Sequence, residues 1–125
     1  MAKRAISTDS APPPGGVYSQ AIAAGGLVFL AGQGPFAPSG EKVDGSFADE
    51  ARQTFQNLAA VAAAAGGSLA DAVRVGVYLR DMGNFAVMNE IYREFFPDPP
   101  PARTTIQSNL PGFEIEVDAV LSLGD

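Results

Sequence analysis

Along residues 46–65 the side chains Phe47, Ala51, Phe55, Leu58, Ala62 and Ala65 recur at spacings of three and four, which places them on one face of an α-helix and requires an apolar surface for that face to lie on. The ends agree. Ser46 and Asp49 stand as a capping box, Asp49 and Glu50 suit the positive end of the helix dipole, and Gly66-Gly67 supplies a stop. Directly afterwards "AVRVGVYLRD" changes to a period of two. Val73, Val75, Val77 and Leu79 alternate with Arg74, Gly76, Tyr78 and Arg80, which predicts a strand with one apolar face and one mixed face.

A second helix is predicted after Asn84 and before Pro97, with Phe85, Met88, Ile91, Tyr92, Phe95 and Phe96 on its apolar side. Upstream, "VYSQAI" and "GLVFLAGQ" read as short strands joined across Ala-Gly-Gly in a hairpin, and "GPFAPSGEKVDG" reads as a loop. "ARTTIQS" and "EIEVDAVLSL" read as closing strands. The expected order is ββαβαββ, with "RAIS" as an extra edge strand, and two helices are too few to cover both faces of such a sheet. In the last strand Ile115, Val117, Ala119 and Leu121 alternate with Glu116, Asp118, Val120 and Ser122. The second face is therefore mixed rather than uniformly polar, a pattern that suits contact with other subunits.

The 125 residues fit a single domain over 1–125. No stretch approaches the roughly 20 apolar residues that span a bilayer, and "MAKRAISTDSAPPPGG" has no apolar signal core, so a cytoplasmic location without membrane partners is expected. A net charge of -6 opposes phosphate backbones, so nucleic acid is not expected as a partner. The chain contains neither Cys nor His. That removes thiolate nucleophiles, imidazole bases and the usual zinc and iron ligands, and leaves Asp, Glu, Lys, Arg, Tyr, hydroxyls, backbone groups and water for any chemistry. No metal site is expected.

Two residues near the C-terminus draw attention. Arg103 follows the proline run "PDPPPA", and its guanidinium offers a planar fork that matches a carboxylate and stays charged at physiological pH. It reads either as half of a structural ion pair or as a clamp on a substrate carboxylate. Glu116, among Ile and Val, reads either as a solvent-facing edge residue or as a carboxylate whose partial burial makes it a competent base. Asp118 shares its face and is the weaker candidate for the same role. Tyr18 and Gln33 flank the first hairpin, and Asn89 shares the helical face of Phe85, Tyr92 and Phe96. "GQGPFAPSG" lacks both the dinucleotide fingerprint and the lysine of a phosphate-binding loop.

Taken in order, "YSQAI", "LVFLAGQGPFAPSG", "NLAAVAAAAGG", "VYLRDMGNFAVMNEIYREFF", "PPARTTIQSNLP" and "IEVDAV" resemble the RidA (YjgF-type) family from about Pro14 to Leu121. The resemblance implies a chorismate-mutase-like α+β domain, a mixed β-sheet with two helices packed on one face, assembled as a homotrimer with sites in the clefts between subunits. It also implies an enamine/imine deaminase that hydrolyses 2-imino acids such as 2-iminopropanoate and 2-iminobutanoate to 2-oxo acids and ammonia. By position, Arg103 matches the arginine that holds the substrate carboxylate and Glu116 the glutamate that positions or activates water. Tyr18 and Asn89 match pocket residues, Gly32 and Gln33 belong to the family's loop after the second strand, and the Thr105 N–H stands where a cysteine N–H contacts the carboxylate.

The chain departs from the family pattern in having Ala31 where many members have Ser and Thr105 where many have Cys. It is also a residue shorter between Arg103 and Leu110 and again between Pro111 and Ile115. The expected mechanism needs no cofactor, because an iminium is already electrophilic and the protein has only to orient it, activate water and protonate the departing nitrogen. Two rivals use the same residues: a trimeric protein that binds small carboxylates without turning them over, and a deaminase acting on aminoacrylate-type or pyrimidine-breakdown intermediates.

Overall fold

The computed structural model describes residues 2–124; Met1 and Asp125, the outermost positions of the expected 1–125 domain, lie outside the described residues. The chain runs β1 (Arg4–Ile6), β2 (Ala21–Ala24), β3 (Leu27–Gln33), α1 (Phe47–Ala64), β4 (Ala72–Leu79), α2 (Phe85–Phe95), β5 (Ala102–Gln107) and β6 (Ile115–Ser122). Short 3₁₀ turns, Leu69–Asp71 and Met82–Asn84, lead into β4 and α2. All six strands form one sheet in the order β1-β2-β3-β6-β4-β5. β4 and β5 are parallel, with α2 in the crossover between them, and the remaining pairs are antiparallel. The expected mixed sheet, including the "RAI" edge strand, is present. Among the described residues no helix is long and apolar enough to cross a membrane.

Local chemistry sets the element boundaries. The β2–β3 hairpin turns on Gly25 and Gly26, at φ 60° and 82°, and two successive positive φ values are what a tight hairpin turn asks of its central residues. The Ser46 hydroxyl accepts from the Asp49 N–H while the Asp49 carboxylate accepts from the Ser46 N–H, so the predicted capping box is formed. At the other end Gly66 takes φ 90° and the Gly67 N–H reaches the Ala62 carbonyl, which satisfies the last turn.

The core lies between one face of the sheet and the helices. Val28, Leu30, Val75, Val77, Ile115, Val117 and Leu121 are buried, and cross-strand pairs such as Val77–Val117 and Val28–Leu121 put them on a common face. Phe55 and Leu58 of α1 are fully buried against it. Phe55 also joins the helices, with ring centroids 5.9 Å from Tyr92, 5.3 Å from Phe95 and 5.9 Å from Phe96. The opposite face carries no helix, and Leu27, Phe29 and Ile106 stand exposed there.

Three expectations are corrected. "VYSQ" is not strand, and β2 begins only at Ala21. The buried Gln20 side chain instead accepts from the Thr8 N–H and donates to the Thr8 and Pro12 carbonyls, tying down the entry segment. Val73 does not belong to the apolar face of β4. Ala72 pairs with Leu121 and Arg74 with Val120, so Val73 is the extra residue of a bulge and points outward, while Ala72 is buried. Phe85, expected on the apolar side of α2, is exposed at the first turn, and Met88, Ile91 and Tyr92 carry the buried side.

Candidate functional site

A second irregularity shapes the region around Glu116. Between Leu30 and Gln33, β3 advances three residues while β6 moves two, from Ala119 to Val117. The bulge brings Gly32 under Glu116. A β-carbon at Gly32 would lie 2.5 Å from Glu116 Oε2, so the carboxylate occupies space that only a glycine leaves free. Beyond the bulge Gln33 is buried.

Glu116 is half-buried and pairs across the strands with Tyr78 on the helix-free face. Its pKa is raised, first by burial and second by the negative charge of Asp118 two residues on. Asp118 is itself engaged: the Tyr78 hydroxyl donates to its Oδ2 at 3.1 Å. Gly76 opens the room for that pair, since a β-carbon there would lie 2.5 Å from Asp118 Oδ1. The Asp118 charge, followed by burial, raises the Tyr78 pKa. A cavity of about 440 Å³ opens over Glu116, lined by Tyr18, Gly32, Gln33, Phe36 and Phe113 together with the Pro12–Pro14 segment. Tyr18 is held by a hydrogen bond from the Gly15 N–H to its hydroxyl oxygen, 3.0 Å.

Arg103 lies elsewhere. It pairs in register with Val75, whose side chain is buried under the helices, so Arg103 and Glu116 sit on opposite faces of the sheet. Its guanidinium carbon lies 4.7 Å from the centroid of Tyr92 and 5.7 Å from that of Phe85. Stacking of this kind contributes about 0.5–2 kcal/mol. The ion pairs among the described residues are Lys42–Glu50, Arg52–Glu94 and Arg80–Glu114, and none uses Arg103. A second cavity, about 510 Å³, opens over Arg103 and is lined by Asn89, Tyr92, Phe96, Pro97 and Pro100.

The named residues thus fall into two groups: Tyr18, Gly32 and Gln33 gather around Glu116, and Asn89 joins Arg103. Thr105 follows Arg103 on the same face of β5 but lines neither cavity. Its hydroxyl oxygen is buried without a hydrogen-bond partner among the described residues, as is that of Tyr92. Sequence reasoning missed Tyr92 and Phe85 as the bed of Arg103, Phe36 and Phe113 as walls of the other cavity, and Gly76 and Tyr78 as the setting of Asp118. Periodicity marks Phe85 and Tyr92 as core and is silent on Phe36 and Phe113, which stand in loops. Among the described residues no three His, Cys, Asp or Glu side chains are grouped to hold a metal ion.

One face covered by helices, one bare face and a cavity over a half-buried carboxylate define a small α+β domain. Comparison with known proteins places it within that class. The family described as endoribonuclease L-PSP matches residues 8–122, and the chain belongs to this family, the RidA family that its sequence resembles. A RutC family protein of Pyrococcus horikoshii is 48% identical over 121 residues, 94% of this chain and 96% of the relative. The 2-iminobutanoate/2-iminopropanoate deaminase of Dermatophagoides farinae is 40% identical over 122 residues, 95% of each chain. The crystal structure of RidA from an Antarctic Psychrobacter superposes with a TM-score of 0.90 at 39% identity, covering 95% of this chain and 98% of that one.

Proposed function

We propose that this chain is a deaminase that hydrolyses 2-imino and enamine acids to 2-oxo acids and ammonia, working as a homotrimer in which the Arg103 half of one subunit meets the Glu116 half of the next. The observation that carries the reading is the division of the chemistry. A cation without an ion-pair partner among the described residues and a carboxylate with raised pKa occupy separate cavities on opposite faces of the sheet. A second copy joins them. Exposed Phe29 and Ile106 on the helix-free face give that copy an apolar surface to cover. The deaminase relative of Dermatophagoides farinae favours the same chemistry.

In this reading Arg103 takes the substrate carboxylate as a bidentate pair, supplemented by the Thr105 N–H, with Asn89 beside it. Glu116 accepts a proton from water as the water oxygen attacks the C=N carbon, and the C=N π electrons move to nitrogen. The proton passes to that nitrogen to give the carbinolamine, whose hydroxyl proton is then carried by Glu116 to the nitrogen as the C–N bond breaks, so that ammonia leaves and the C=O of the 2-oxo acid forms. An enamine is first protonated at carbon, with protonated Glu116 as the donor. No cofactor enters this balance. The family's description names an endoribonuclease, but the net charge of -6 sets an unfavourable field against RNA.

The test is release of ammonia and 2-oxo acid from freshly generated 2-iminopropanoate and 2-iminobutanoate, measured against the spontaneous rate without protein. Acceleration supports the deaminase. Carboxylate binding without acceleration would leave a binding protein, and acceleration confined to aminoacrylate-type substrates would move the activity to that class.

A further inference from the structure

The Glu116 cavity has a wall that the deaminase chemistry does not use. Phe36, on the loop after β3, and Phe113, three residues before Glu116, meet edge to face with centroids 5.4 Å apart and planes at 72°. Both line the cavity, both are half-buried, and neither belongs to the core between sheet and helices. The pair stands on two separate loops, and α1 holds both from behind with buried polar groups. Asn57, 1% exposed, donates to the carbonyls of Gly34 at 3.1 Å and Phe36 at 2.7 Å. Glu50, 5% exposed, accepts from the Glu114 N–H at 3.0 Å with one oxygen and pairs with Lys42 at 3.3 Å through the other. Lys42 in turn bridges to Phe36 in the backbone.

The backbone is fitted to the rings as well. A β-carbon at Gly34 would lie 2.9 Å from the Phe36 ring and 3.5 Å from that of Phe113. Gly112, at φ 83°, turns the chain immediately before Phe113. Buried polar groups of a core helix committed to two surface loops make those loops rigid. What they hold in place is an apolar surface facing the same space as Glu116.

We propose that Phe36 and Phe113 form a side-chain subsite for the substrate, selecting 2-imino acids with branched aliphatic or aromatic side chains over 2-iminopropanoate. The proposal rests on the deaminase reading for the identity of the acid. The carboxylate is held at Arg103 of the neighbouring subunit, the C=N carbon lies at Glu116, and the remaining substituent on that carbon lies against the two rings. An apolar pocket discriminates by about tenfold or more for each methylene it accommodates.

The experiment measures binding of 2-oxo acids, the products, to the full-length assembled protein by calorimetry: pyruvate, 2-oxobutanoate, 4-methyl-2-oxopentanoate and phenylpyruvate. The expected result is an affinity for 4-methyl-2-oxopentanoate at least about tenfold above that for pyruvate. In Phe113→Ala and Phe36→Ala that ratio collapses towards one. Phe113→Leu, which keeps the site apolar and guards against misfolding of the alanine variants, retains the preference for the branched acid and loses that for phenylpyruvate. A ratio near one in the unaltered protein, or an unchanged ratio in the folded variants, overturns the subsite. Graded binding without ammonia release from the matching imino acids leaves the subsite standing and removes the deaminase. Failure to bind any of the four acids overturns the carboxylate reading and the subsite with it.

Discussion

Arg103 is backed by Tyr92 and Phe85 and has no ion-pair partner among the described residues, and in the proposed reading its guanidinium receives the substrate carboxylate. Charge-assisted hydrogen bonds are worth about 1.5–3 kcal/mol each, so Arg103→Ala is expected to lower kcat/KM by about two to four powers of ten with the fold intact. Arg103→Lys should recover little, because an ammonium cannot reproduce the planar fork. Steady-state kinetics on imino acids checks both. For Glu116, replacement by Gln keeps shape and removes proton acceptance, and kcat should fall by about 10²–10⁴ while pyruvate binding changes little. The pH dependence follows from the raised Glu116 pKa. A base works deprotonated, so kcat/KM rises with pH along a limb whose midpoint lies above the usual glutamate range. Asp118→Asn removes the charge that contributes to this rise, so the limb should move to lower pH with turnover retained. An unmoved or upward-shifted limb would show that Asp118 does not act on Glu116.

At the level of elements, the Ser46–Asp49 capping box supports α1 without touching either cavity. Ser46→Ala should therefore destabilise by about 1 kcal/mol, seen as a melting temperature lower by a few degrees with kcat/KM unchanged. α1, β6 and β4 beyond Val73 were legible in the sequence because their apolar residues keep one period, and the capping chemistry marked the helix start. The misreadings fall where the period breaks. Val73 is displaced by a bulge that follows from pairing with Val120 and Leu121, which lie far along the chain. "VYSQ" alternates like a strand, yet Gln20 uses its side chain to tie the entry segment down. Arg103, Glu116, Tyr18 and Asn89 were visible as residue types in suggestive places. Their division between two faces was not, because it depends on which strands are neighbours and on the parallel register of β5 against β4.

For the whole molecule, the proposed division of the site between subunits would make assembly a condition of the proposed catalysis. The chain should sediment as a trimer at micromolar concentration, and an active monomer would contradict the architecture. A sharper test mixes two inactive variants, Arg103→Ala and Glu116→Gln, by co-refolding or co-expression in equal amounts. If each site takes Arg103 from one subunit and Glu116 from the next around a closed ring, every mixed trimer contains one interface with both groups intact. Random assembly makes about three quarters of trimers mixed with one working site in three, so about a quarter of the unaltered activity should return. If activity stays absent while mass spectrometry shows that mixed trimers have formed, Arg103 and Glu116 do not serve one site across an interface, and the account of a divided catalytic centre is wrong.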